Sequence, residues 1–210
     1  SYTLEVIAYD IASMSDMSAS NGGTFQADVT FAAGADIITA TAGTDNVRIG
    51  AGAGDSIASG GNNNVAIGKN ALASNTTADN STAVGFEAGT NSTGAQNTYF
   101  GRQSGKGVTS GTENVFVGNG AGRDGTSTGS YNIGIGSVSL NALTSGHSNI
   151  AIGRDSLGAN TDGTQNTAVG YQALTSNVSA AQNTAVGYGA LQSNTSGGPN
   201  TAVGRGSLNS

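Results

Sequence analysis

Few side chains in this sequence suit covalent or proton-transfer chemistry. Cysteine is absent and His147 is the single histidine. His147 sits in Ser145-Gly146-His147-Ser148, a turn-like run, and a Ser-His-Asp arrangement needs a convergent geometry that one turn histidine does not suggest. No His, Asp and Glu cluster has metal-ligand spacing. Gly101-Arg102-Gln103-Ser104-Gly105-Lys106 grazes a phosphate-loop pattern, but the following Ser/Thr and the spacing are missing. We therefore expect no catalytic residue, no bound cofactor or metal, and no enzyme. What remains is chemistry of recognition, carried by a few cations and aromatic rings that recur at one place in a repeat.

That repeat has the form Asn-x-x-[Ile/Val/Phe]-Gly. It begins at Asn46, Asn64, Asn97, Asn114, Asn132, Asn149, Asn166, Asn183 and Asn200, with Ser81 in the Asn place of one further copy. The closing glycines, Gly50 to Gly204, are spaced 18, 17, 16, 17, 18, 17, 17, 17 and 17 residues apart. Ala or Ser follows three residues later and Leu or Gly four later, as in Ala71-Leu72, Ala88-Gly89 and Ala173-Leu174. Ten copies in register, with two coupled motifs, exceed any bias of composition.

A unit of about 17 residues is too short for a helical hairpin or a propeller blade. Its β-branched run, glycine, second short run and polar stretch read as strand, bend, strand, turn. One such unit cannot bury its own apolar face, but stacked units can. The expected fold is all-β, a parallel β-solenoid or β-roll of about ten 17-residue turns, with strands ~4.8 Å apart and a rod of roughly 45–50 Å. Residues 46–210 form this array. Residues 1–45 read as an N-terminal cap or joint, with a strand in Tyr2–Tyr9, a loop at Met14–Met17 and a degenerate turn at Asp28–Ala32. Ser210 falls just before the next Asn is due, which reads as a piece of a longer fibre.

Neighbours on a strand point to opposite faces. The fourth column (Ile49, Ile67, Val84, Phe100, Val117, Ile135, Ile152, Val169, Val186, Val203) is always apolar, which places it inside together with the Val, Ile and Thr of the second column. The third column is mostly Ala but includes Arg48, Tyr99 and Phe116. A narrow dry interior would exclude Arg48, so this column is expected outside, as a small-residue stripe where another subunit packs. The Asn column is expected to bond bend amides and the next Asn as a ladder.

The column after each closing glycine reads Ala51, Lys69, Phe86, Arg102, Asn119, Ser137, Arg154, Tyr171, Tyr188, Arg205. It holds four of the seven basic residues, and three of the eleven aromatics (six Tyr and five Phe). Two groups alternate cation and ring, Lys69-Phe86-Arg102 and Arg154-Tyr171-Tyr188-Arg205. At ~4.8 Å between turns, rings can stack and cations can lie within about 6 Å of them. The stripe is read either as a staple that stiffens the roll or joins subunits, or as a surface for acidic glycans.

Other patterns weigh less. Gly50–Ile57 (GAGAGDSI) matches one calcium-binding nonapeptide turn, but the equivalents of Asp55 are Ser74, Lys106, Arg123 and Thr175 or their neighbours, which cannot supply the oxygen cage. The Asn-x-Ser/Thr sites at Asn75, Asn80, Asn91, Asn177 and Asn194 reflect composition. A flat Thr array could bind ice, but the second column mixes Thr with Val and Ile. The net charge of −6 and the scattered basic residues argue against nucleic acid. No apolar run reaches 18 residues, so no membrane-inserted helix is expected.

The NTAVGYQAL and NVAIGKNAL units resemble the head repeats of trimeric autotransporter adhesins, and more closely the repeats of bacteriophage tail fibres. The resemblance spans Asn46 to Ser210. It implies a left-handed roll, a homotrimer, and a role in reaching or gripping a host surface through a glycan or protein receptor. Location would then be the virion, with a bacterial cell surface as the alternative. The turn is longer than that of the adhesin heads, so the outer loop should be larger.

Overall fold

The computed structural model describes residues 43–209. The Tyr2–Tyr9 strand, the Met14–Met17 loop and the Asp28–Ala32 turn lie outside the described residues. Among those described, ten strands of three residues each form one sheet: β1 (Val47–Ile49), β2 (Val65–Ile67), β3 (Thr82–Val84), β4 (Thr98–Phe100), β5 (Val115–Val117), β6 (Ile133–Ile135), β7 (Ile150–Ile152), β8 (Thr167–Val169), β9 (Thr184–Val186) and β10 (Thr201–Val203). Their order is sequential, every pair is parallel, and equivalent residues pair in register, as in Ile150↔Thr167 and Ala151↔Ala168. This is the parallel solenoid that the repeat predicts.

The expected second strand of each unit is absent. After the closing glycine the chain turns twice through left-handed backbone, for example at Gln172 and Leu174 with φ of 55° and 53°. It still stacks turn on turn: Leu157 N–H donates to Ala173 O at 3.0 Å, and Leu174 N–H to Ala190 O at 3.0 Å. A segment interrupted at every second residue by positive φ cannot be a strand, yet its amides remain paired as buried backbone requires.

The two faces of the sheet are the reverse of those expected. The third column is the core: Ala66, Ala83, Tyr99, Phe116, Ala151, Ala168 and Ala185 are all fully buried. The second and fourth columns point outward, with Ile49, Phe100 and Val203 each more than half exposed. The supposed outward Ala stripe is therefore interior and cannot be a subunit contact. Arg48 is tolerated in this column because its side chain leaves the core over Gly54. A Cβ there would stand 3.3 Å from Arg48 Cγ and Cδ. Arg48 Nε donates to Ala53 O at 2.6 Å, and Nη2 reaches Asp55 Oδ1 at 3.3 Å.

Core volume is shared between the third column and the residue six places on. Ala151 faces Leu157 and Ala168 faces Leu174, whereas Tyr99 is followed by Gly105 and Phe116 by Gly122. A Cβ at Gly122 would come 3.0 Å from the Phe116 ring, and a Cβ at Gly105 would collide with Tyr99. Left-handed backbone costs a Leu about 1–2 kcal/mol, less than the roughly 1.5–3 kcal/mol from burying it, so Leu prevails wherever neither a ring nor the Arg48 side chain needs the space. The closing glycine has another reason: at Gly136 φ is 132°, and a Cβ would lie 2.6 Å from the carbonyl carbon of Gly153 in the next turn.

This pairing predicts coupling. Tyr99→Ala should cost about 3–5 kcal/mol through its cavity, and Gly105→Leu should destabilise by overpacking and strain. The double variant should recover much of that loss, read as a favourable interaction energy in a chemical-denaturation cycle. Strict additivity would show that the two positions do not share space.

Candidate functional site

The Asn column lies inside the roll, at the corner where the chain enters each strand. Asn64, Asn97, Asn114, Asn132, Asn149, Asn166 and Asn183 are completely buried. Each carboxamide works toward the next turn. Asn149 Oδ1 accepts from Asn166 N–H at 3.0 Å while Asn149 Nδ2 donates to Gly163 O at 2.8 Å. The same pair of bonds joins Asn132 to Asn149 N–H and Gly146 O, and Asn166 to Asn183 N–H and Ala180 O. Side chains also touch directly, as Asn166 Nδ2 does Asn149 Oδ1 at 3.2 Å. Asn46 binds Asn64 N–H and Gly61 O in the same way. Asn200 N–H donates to Asn183 Oδ1 at 3.0 Å, and its own carboxamide makes no hydrogen bond among the described residues.

A second ladder stands seven residues after the closing glycine. Asn160, Asn177 and Asn194 follow one another, with Asn177 Nδ2 donating to Asn160 Oδ1 at 3.1 Å and Asn194 Nδ2 to Asn177 Oδ1 at 3.4 Å. Asn75 in the same column bonds Ala78 on both carboxamide atoms. The column also holds Val108, Leu143 and Ser92, whose hydroxyl lies 3.1 Å from that of Tyr99. Burial pushes the Tyr99 phenol well above its ordinary pKa. The 17-residue interval between Asn160, Asn177 and Asn194 was the signal available in the sequence, hidden by apolar residues elsewhere in the column. It corrects the compositional reading of Asn75 and Asn177, which are fully buried.

The stripe residues lie on the outside. Lys69, Phe86, Arg102, Arg154, Tyr188 and Arg205 are exposed and Tyr171 is half-buried. Tyr171 and Tyr188 stack at 5.0 Å between centroids and 10° between planes. Arg154 covers the outer face of Tyr171 and Arg205 that of Tyr188, each at 5.5 Å. Arg154 Nη1 also donates to the Tyr171 hydroxyl at 2.9 Å. In the other group Arg102 lies 5.9 Å from the Phe86 ring, while Lys69 makes no ring contact among the described residues. The phosphate-loop-like segment binds a carboxylate instead: Lys106 Nζ lies 2.7 Å from Glu87 Oε2 and Gln103 Nε2 2.9 Å. Lys106, then Gln103, hold that carboxyl below its ordinary pKa.

His147 is exposed, with Nδ1 3.4 Å from Ser148 Oγ. It borders an open concavity of about 370 Å³ with Thr128, Ser130, Tyr131 and Ser145, where no acid completes a triad. Asp55 is engaged by Arg48.

The outward apolar columns form the other feature. Ile135, Ile150, Ile152 and Val186 are 36–39% exposed and Val203 is 70% exposed. With Ile49 and Phe100 they follow the sheet from end to end. The chain matches no family model, no curated protein and no solved structure.

Replacing Asn149 by Leu should orphan Asn166 N–H, at about 1–3 kcal/mol for a buried group, and leave Gly163 O with the Asn160 carboxamide as its remaining donor at 3.1 Å. Asn200→Leu, which breaks no side-chain bond, should cost much less. Thermal melts of the two variants check this, and equal losses would reject the ladder as the source of stability.

Proposed function

We propose that the chain is a structural and adhesive segment of a homotrimeric fibre, a bacteriophage tail-fibre shaft or receptor-binding region used in host attachment. The observation that carries this reading is the outward Val, Ile and Phe stripe. Isolated exposed apolar residues are ordinary, but a continuous stripe marks an association surface. Here the stripe is built into the repeat, running roughly 45 Å along ten turns. A solenoid whose turns each contact only their neighbours has a thin interior, and covering this face removes the most apolar surface from water. Like copies share the repeat, so another copy of this chain matches its pitch. Three copies, rather than two, follow from the likeness of the NTAVGYQAL units to trimeric fibre repeats.

Function then needs no reaction centre. The roll spaces and stiffens, and its outer columns meet the host. The alternative is the head of a bacterial trimeric surface adhesin. A coiled-coil stalk and membrane anchor following the array would place it there, and a tip or self-cleaving chaperone domain would place it in a virion.

Light scattering after size exclusion, at micromolar concentration, should give three times the chain mass. Ile152→Lys with Val186→Lys changes only outward side chains and should yield folded monomers. A folded wild-type monomer, or a trimer that survives both lysines, would remove this reading.

A further inference from the structure

We infer that the Arg154-Tyr171-Tyr188-Arg205 stripe is a docking line for a linear acidic polysaccharide, a saccharide chain bearing carboxylate or sulfate groups, running along the solenoid axis. Two charges on this line have no acidic partner among the described residues. Arg154 and Arg205 are exposed and form no ion pair among the described residues, where the pairs are Arg48–Asp55, Lys106–Glu87 and Arg123–Asp124. The carboxylate nearest in sequence, Asp155, is engaged instead by Gln172 Nε2 at 3.2 Å. In a chain of net charge −6, two guanidinium groups without acidic partners on one line are hydrogen-bond donors for an anion.

Ring geometry selects the kind of anion. The facing sides of Tyr171 and Tyr188 cover each other at 5.0 Å, and their outer sides are covered by Arg154 and Arg205 at 5.5 Å. A sugar ring or a nucleobase stacking here would have to displace a tyrosine or an arginine, so neutral glycans and single-stranded nucleic acid, which bind by stacking, find no open platform. The stack offers its edge: guanidinium N–H groups and phenolic hydroxyls in a row at ~4.8 Å intervals. Stacking also immobilises each arginine, lowering the entropy lost when it grips an oxyanion.

Charge spacing selects a polymer. Lys69, Arg102, Arg154 and Arg205 occupy the same column, in the turns of β2, β4, β7 and β10. The intervals are two, three and three turns, or about 10, 14 and 14 Å. A small anion meets one of these cations, whereas a chain lying along the axis meets all four and gains by multivalency. The inference supplies a partner for the attachment reading, but its geometry does not depend on the trimer.

Calorimetric titration of the 210-residue chain at low ionic strength tests it. The ligands are alginate oligomers of increasing length, heparin, dextran and oligothymidylate. Alginate supplies carboxylate, and heparin adds sulfate. Binding of either, tightening with chain length and weakening with salt, with dextran inert, is the expected result. Arg154→Gln with Arg205→Gln should weaken it at least tenfold at an unchanged melting temperature, and the matching Lys variants should retain most of it. Silence toward both acidic polymers, equal binding by the Gln variant, or tighter binding of oligothymidylate overturns the proposal. So does a Gln variant that keeps its binding but loses its oligomeric mass, which would make the stripe a subunit staple. A wild-type monomer that binds alginate would reject the fibre assembly and leave the docking line standing.

Discussion

Backbone pairing between successive turns governs this molecule. Three-residue strands hold few ladder bonds of their own, and the rest of each turn is bend and left-handed backbone whose amides would be orphaned in isolation. They are satisfied only because the next turn repeats the same path one strand spacing away. At the corner before each strand the main chain cannot complete the ladder. There the Asn carboxamide substitutes, accepting from one amide and donating to one carbonyl of the following turn. Asn fits because it carries a donor and an acceptor on the shortest side chain able to reach both. Ser81 keeps only part of this role: its hydroxyl accepts from Asn97 N–H at 3.3 Å.

Because the path is set by the backbone, side-chain volume must adapt to it. The interior is narrow enough that Ala against Leu fills it, and a ring in one column demands Gly in the other. Exchange within a turn lets Tyr99 and Phe116, stacked at 6.3 Å, enter the core without displacing the strands. The larger β-branched residues fit better outside. This explains why a sheet with a sound core still carries Val and Ile on its solvent side, and why association rather than a thicker core is the route to covering them.

A repeating path also turns single positions into lines. Any residue type favoured at one place in the unit becomes a column along the axis, with neighbours at a fixed spacing. The carboxamide ladders, the apolar stripe and the cation–tyrosine stack all arise in this way. The interruptions are local: Asn119 and Ser137 separate the two cation-bearing groups without disturbing the strands beneath them.

The period, the strand positions and the parallel stacking were legible in the sequence, since ten in-register [Asn/Ser]-x-x-[Ile/Val/Phe]-Gly units, nine of them headed by Asn, admit little else. So was the alignment of Arg154, Tyr171, Tyr188 and Arg205, because a fixed period brings equivalent residues into line. Which face of each strand points inward was not legible. Over three residues the alternating pattern offers one central residue against two flanking ones, and hydrophobicity favours the flanks. Arg48 in the central position argues the same way, but its exit over Gly54 exists only once the turn is built. Available width decided the matter: Ala and Gly fit between the sheet and the left-handed Leu column, and Ile and Val do not. The second strand failed for a related reason, since φ is invisible in a short run such as Gln172-Ala173-Leu174. The tertiary structure alone set the edge-on presentation of the tyrosines, because the contacts that cover their faces come from residues 17 positions away along the chain.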